Sequence, residues 1–281
     1  MSARARIDLA YDGAAYSGWA RQPARPSVQQ TLEEALAVAL RVEPSEVKTV
    51  VAGRTDSGVH ALGQVAHVDL PEGVAEPDRV DADLQRLLQR VRGVLRSHPS
   101  IVIHNIALAP EGFDARFSPL SRRYEYRIAD QRALKDPRLA GHTLWFRDAL
   151  DESAMSELGH ALCGLHDWAA FCRARPGATT IRDLKEFSWV RDDEGVLVGT
   201  VIADAFCHSM VRSLVGAAVA VGSGVLTAPQ VVALRDLGER TSAWKTMPAH
   251  GLTLIEVTYP PDEELASRQA HTRAPRGPLR D

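Results

Sequence analysis

The chain has 281 residues, of which 45% are hydrophobic and 25% charged, and a formal net charge of −3. That length holds one large domain or two small ones, and the slight acidity weighs against a dedicated nucleic-acid binder, although the distribution of charge matters more than its sum. No run of about 18 apolar residues exists, so no membrane span is expected; nor has the start Met1-Ser2-Ala3-Arg4-Ala5-Arg6 the apolar core of a signal peptide. Three widely spaced cysteines, Cys163, Cys172 and Cys207, argue against a disulfide framework and for a reducing cytosol.

Residues 4–11 alternate, with Ile7, Leu9 and Tyr11 on one face, and predict a strand. The Gly-, Pro- and Arg-rich run from Asp12 to Pro26 predicts a loop. Ser27 opens a helix with Gln30 placed for a capping box. Val28, Leu32, Ala35, Leu36, Ala39 and Leu40 form its apolar stripe. Strands follow at 48–52 and 64–70, then a helix at 79–97 burying Val80, Leu84, Leu87, Leu88, Val91 and Leu95, then a strand at 101–109. That order, β-α-β-β-α-β, is ferredoxin-like. The second half repeats it, with a strand at 121–129, a helix at 152–163 and strands at 180–191 and 195–204. A helix at 208–221, a short extra helix at 228–237 and a closing strand at 252–259 complete the repeat. The predicted fold is therefore α+β, with two ferredoxin-like halves, 1–115 and 116–260, sharing an extended antiparallel sheet with a central cleft. Residues 261–281 turn polar, with Pro, Arg and Gly, and are expected to form a disordered tail.

Between the strands at 48–52 and 64–70 lies Gly53-Arg54-Thr55-Asp56-Ser57-Gly58-Val59-His60-Ala61. Its two glycines predict a tight loop, which holds one carboxylate, Asp56, beside one cation, Arg54. An isolated Asp-Ser-Gly is commonly no more than a turn, and an aspartic protease would need a second such carboxylate, which the chain lacks. His60 reads as a turn or packing residue. The cysteine and histidine spacings match no standard zinc pattern, so no metal is expected. Arginine dominates lysine, which occurs only at Lys48, Lys135, Lys185 and Lys245. Arg21, Arg25, Arg173 and Arg175 sit in predicted loops, where guanidinium forks suit phosphate.

The run from Gly53 to Ala61 resembles the catalytic motif of the TruA family of tRNA pseudouridine synthases. Other segments are similar to the family in the same order: Tyr11-Asp12-Gly13 with Tyr16, Gly18 and Trp19; Ser27-Val28-Gln29; Phe113-Asp114-Ala115-Arg116-Phe117-Ser118; Arg122-Arg123-Tyr124-Glu125-Tyr126; Phe206 through Arg212; and Pro248 through Tyr259. The likeness spans about residues 5–260. Ala20, Trp168, Ala170 and Ser209 depart from the family's usual residues, in loops and packing positions.

The resemblance implies that uridines at positions 38, 39 and 40, in the anticodon stem-loop of tRNA, are isomerised to pseudouridine. It makes Asp56 the essential carboxylate, with Arg212 pairing to it from the other half; a cation nearby favours the charged form. Tyr124 would stack on the target base and Arg54 would fill the space it leaves or grip its phosphate. The resemblance also implies a cytoplasmic homodimer, and the isomerisation calls for no cofactor. The rival reading is a non-catalytic RNA-binding protein of two RRM-like units, but the aromatic-rich signature of such units is absent from 48–52 and 101–109.

Overall fold

In the computed structural model, which describes residues 3–173 and 179–273, the alternation at the start of the chain becomes strand β1 (Arg4–Tyr11). Its inward side chains Ile7 and Leu9 are fully buried. The chain divides into two compact units, the first made of residues up to Leu120 together with the segment from Leu254 to Ala274, the second mainly Ser121–Thr253. The closing strand, expected to complete the second half, contributes its greater part to the first.

In the first unit, α1 (Val28–Leu40) is capped as expected, with Ser27 Oγ accepting from Gln30 N at 3.3 Å. The reciprocal half of the capping box does not form, because the Gln30 side chain donates instead to Glu34 one turn on. The sheet runs β4 (Ile101–Leu108), β1, β3 (His60–Asp69) and β10 (Leu252–Thr258), with the short β2 (Thr49–Val51) pairing onto β3. β1 is antiparallel to both β3 and β4. Helix α2 (Val80–Val94) buries Leu84, Leu87, Leu88 and Val91 and packs on β4 and α1; Val80, expected inside, is half-buried. Burying a leucine or isoleucine of this kind contributes about 1.5–3 kcal/mol.

In place of the expected disordered tail, a 3-10 turn (Asp262–Glu264) leads into helix α6 (Leu265–Arg273); the rest of the expected tail lies outside the described residues. Leu265 is buried, and polar contacts hold the remainder: Arg268 donates to Pro119 O, and Gln269 and Arg273 reach Asp114 at 3.4 Å. Burial alone would raise the Asp114 carboxyl, but the N–H groups of Phe117 and Arg116 donate to it and hold it below its ordinary value.

In the second unit the strands run β5 (Ser121–Ala129), β9 (Leu197–Ala203), β8 (Ile181–Arg191) and β7 (Gly164–Asp167), and the two-residue β6 (Leu144–Trp145) adds to β5. Helices α3 (Glu152–Leu162), α4 (Met210–Gly222) and α5 (Ala228–Asp236) pack with α3 against β8, α4 and α5. A buried ion pair ties loop to strand here. Asp130 accepts from Arg191 at 2.8 and 3.0 Å and from the backbone of Arg132 and Leu150. Burial works to raise the Asp130 carboxyl, yet these donors outweigh it and lower it. Cys172 and Cys207, far apart in sequence, lie side by side with Cα atoms 5.8 Å apart, within reach of a disulfide, and Cys163 stands apart from them. No helix among the described residues is long and apolar enough to cross a membrane.

Candidate active site

The loop from Gly53 to Val59 joins β2 to β3 in the first unit, and its shape is dictated from two sides. From below, three buried polar side chains meet under it. Tyr11 Oη lies 2.8 Å from Thr55 Oγ1, and Gln64 Nε2 donates both to Tyr11 Oη at 3.1 Å and to Gly53 O at 2.8 Å. Burial pushes the Tyr11 phenol up to about 12, so it stays protonated at neutral pH. From the side, the segment after β1 clamps the loop backbone. Trp19 N donates to Thr55 O at 3.1 Å, and Ser57 Oγ donates to Tyr16 O at 3.2 Å. The turn closes on itself through Val59 N to Asp56 O, with Gly58 at φ +78°.

Gly18 is the close point of this contact. Its φ is +97°, and a Cβ there would lie 2.8 Å from Thr55 O and 3.1 Å from Asp56 C. Only a residue without a side chain lets the two segments lie this near. The outcome is a loop with Thr55 buried, Asp56 half-buried, and Arg54 and Ser57 exposed. His60 is the packing residue the sequence suggested: it is buried, and its Nδ1 accepts from Gly13 N at 3.1 Å and lies 3.0 Å from Asp12 Oδ1.

The other three regions expected to serve the site have these settings. In the second unit, Tyr124 is buried on β5 opposite Val201, its ring edge-to-face with Phe206 at 5.2 Å and 89°. Tyr126, two residues on, lies on the same side and donates to Pro248 O. Burial raises its phenol, and the charge of Arg212 works against that rise. Arg212 is half-buried in the first turn of α4, after Ser209 in left-handed conformation at φ +64°. Among the arginines expected to meet phosphate, Arg25 and Arg173 are exposed and Arg175 lies outside the described residues. Arg21 instead pairs with the buried Glu33 at 3.3 Å, which also accepts from Thr49 N and Oγ1.

Sequence reasoning found Asp56 and Arg54 on one loop and missed what holds that loop. Alternation puts Tyr11 on one face of β1 without telling what its hydroxyl meets, and Gln64 is only the first residue of the strand predicted at 64–70. A signal existed: Gln64 is a polar residue within an apolar strand, which asks for a buried hydrogen-bond partner.

A family model described as tRNA pseudouridine synthase matches residues 9–99 and 160–260. The chain is 54% identical over 283 residues to the tRNA pseudouridine synthase A of Leifsonia xyli subsp. xyli, covering 97% of each chain. It is 50% identical over 275 residues to that of Frankia casuarinae, covering 98% of this chain and 96% of the relative. Among solved structures it is similar to a chain from the archaeal box H/ACA sRNP Nop10-Cbf5 complex, with a TM-score of 0.34 and 11% identity over 76% of this chain and 44% of that one.

Proposed function

The chain belongs to the tRNA pseudouridine synthase family, and on that premise we propose that Asp56 is the essential carboxylate of its reaction, directed at uridines 38, 39 and 40 of the anticodon stem-loop. The enzyme is an isomerase that converts uridine in tRNA to pseudouridine. The N1–C1′ bond breaks, the base turns, and C5 bonds to C1′. N1 gains one proton and C5 loses one, so the change balances without an oxidant, a reductant or a carrier group.

One observation carries the role of Asp56. It is the only carboxylate on a loop whose backbone is fixed by Tyr16 and Trp19 and by the buried Tyr11–Thr55–Gln64 contacts, and it is not itself buried. A reactive group held on a rigid loop needs no reorganisation before it acts. We assign Arg54, Tyr124 and Arg212 to substrate binding. Arg54 is exposed two residues before Asp56, suited to a phosphate or to the space left by a flipped nucleotide. Tyr124 offers an aromatic ring for the base, and Arg212 a cation for Asp56 or for a phosphate. The proposal extends to two ferredoxin-like halves and to a cytoplasmic homodimer.

The test is to incubate the protein with unmodified tRNA carrying uridines in the lower anticodon arm and to map pseudouridine by carbodiimide-stop sequencing. Stops at those uridines that vanish with Asp56→Ala are the expected result. Equal stops with Asp56→Ala would remove the carboxylate from the mechanism, and stops elsewhere in the tRNA would correct the target.

A further inference from the structure

We propose that Tyr11 is a positioning residue for the catalytic loop, its hydroxyl acting with Thr55 and Gln64 to fix where Asp56 stands. The proposal rests on the reading of Asp56 as the essential carboxylate. Tyr11, Thr55 and Gln64 are all buried, so each polar atom must find a partner inside the protein or weaken the fold. They find one another beneath the loop. Gln64 Nε2 donates to Tyr11 Oη, which leaves the phenol's own proton for Thr55 Oγ1. The same Gln64 amide donates to Gly53 O, so one small network holds both ends of the stretch Gly53–Thr55, with Arg54 exposed between them.

Thr55 is the residue before Asp56. Its side chain is held by Tyr11, and its carbonyl, which begins the peptide to Asp56, accepts from Trp19 N. No member of the network carries a charge at neutral pH. Its influence on Asp56 is therefore one of place and not of protonation. The network is also separable from packing: the Tyr11 ring lies 6.0 Å from the Trp19 ring, a contact that phenylalanine keeps.

Tyr11→Phe removes only the hydroxyl. The expected result is a fall of about 10- to 100-fold in the single-turnover rate of pseudouridine formation, the scale set by misplacing a catalytic group by a fraction of an ångström to one ångström. The tRNA Kd should change little and the pH–rate profile should keep its shape, while the Tm should fall by a few degrees because buried Thr55 Oγ1 and Gln64 Nε2 lose a partner; the rates are compared at a temperature where both proteins are folded. Thr55→Val should show the same loss and Thr55→Ser should not. The double variant Tyr11→Phe with Thr55→Val should be no slower than the worse single variant, because both remove one contact. A wild-type rate for Tyr11→Phe would overturn the proposal, as would a rate loss matched by equal loss of tRNA affinity, or losses that multiply in the double variant. If Tyr11→Phe does not fold, the valine and serine variants at Thr55 decide the matter alone. Asp56→Ala in the same assay separates the two readings: an active Asp56→Ala refutes the carboxylate role, whereas an inactive Asp56→Ala beside a fully active Tyr11→Phe refutes only the positioning.

Discussion

Replacing Gly18 with alanine should damage the catalytic loop from outside it. The residue sits at φ +97°, where a side chain is strained, and its new methyl would lie 2.8 Å from Thr55 O. Ordinary contact begins near 3.4 Å, so the Thr55 carbonyl must withdraw by about 0.6 Å. That movement opens the hydrogen bond from Trp19 N and carries the peptide of Asp56 with it. The backbone strain costs about 1–3 kcal/mol and the lost hydrogen bond about 0.5–1.5 kcal/mol, together about 1.5–4.5 kcal/mol. At roughly 2–4 °C per kcal/mol for a chain of this size, Tm should fall by roughly 3–18 °C. The rate should fall further than stability explains, by about 10- to 100-fold at a temperature where the variant is still folded. Tritium release from tRNA labelled at uridine C5 reads the rate, because C5 loses its hydrogen in the reaction, and calorimetry reads Tm. Gly93→Ala is the matched control. Gly93 lies exposed within α2 with nothing near its would-be methyl, so alanine should stabilise by roughly 0.8–1 kcal/mol through helix propensity and leave the rate alone. A Gly18→Ala protein with unchanged Tm and rate would refute the account of the clamp.

Asp130→Asn should destabilise by about 3–5 kcal/mol at neutral pH, since it leaves Arg191 without its buried carboxylate. Because the Asp130 carboxyl is held below its ordinary value in the folded state, its contribution is complete above about pH 4 and is lost as the pH falls further. The Tm gap between wild type and variant should therefore narrow below pH 4, and a gap that stays constant would contradict the pairing. The approach of Cys172 and Cys207 predicts that an oxidant joins them, leaving one titratable thiol per unfolded chain, that of Cys163, against three after reduction; three thiols after oxidation would show that the bridge does not form.

What the sequence displayed was local, and what it hid was long-range. β1, α1 and β5 were legible because their apolar residues repeat at the period of the element and their ends carry a cap or a turn. β7 was not, since its residues are all half-buried or exposed and show no apolar alternation. α6 escaped because only Leu265 is buried in it, and its other anchors are hydrogen bonds to Pro119 and Asp114, some 150 residues away. The placement of β10 beside β3 has no local signal at all. At the site, Asp56 and Arg54 were legible from the glycine-flanked motif. The Tyr11–Thr55–Gln64 network was not, because strand alternation assigns Tyr11 to the core without telling what its hydroxyl meets there. Cysteine spacing likewise could not show that Cys172, after the 3-10 turn Ala169–Phe171, and Cys207, in the loop before α4, fold to within a disulfide's reach.

The first unit is assembled from two stretches of chain separated by the whole of the second. A ribosome adding about 5–20 residues per second needs roughly 7–27 s to pass from Leu120 to Leu254. During that interval β3 has emerged while β10, its neighbour in the sheet, does not yet exist. Newly made chains thus carry an open strand edge next to the loop of Asp56 for many seconds, a window in which a chaperone has something to hold. The second unit has no such wait, for Ser121–Thr253 emerges in one piece. The half that carries Asp56 is begun first and finished last.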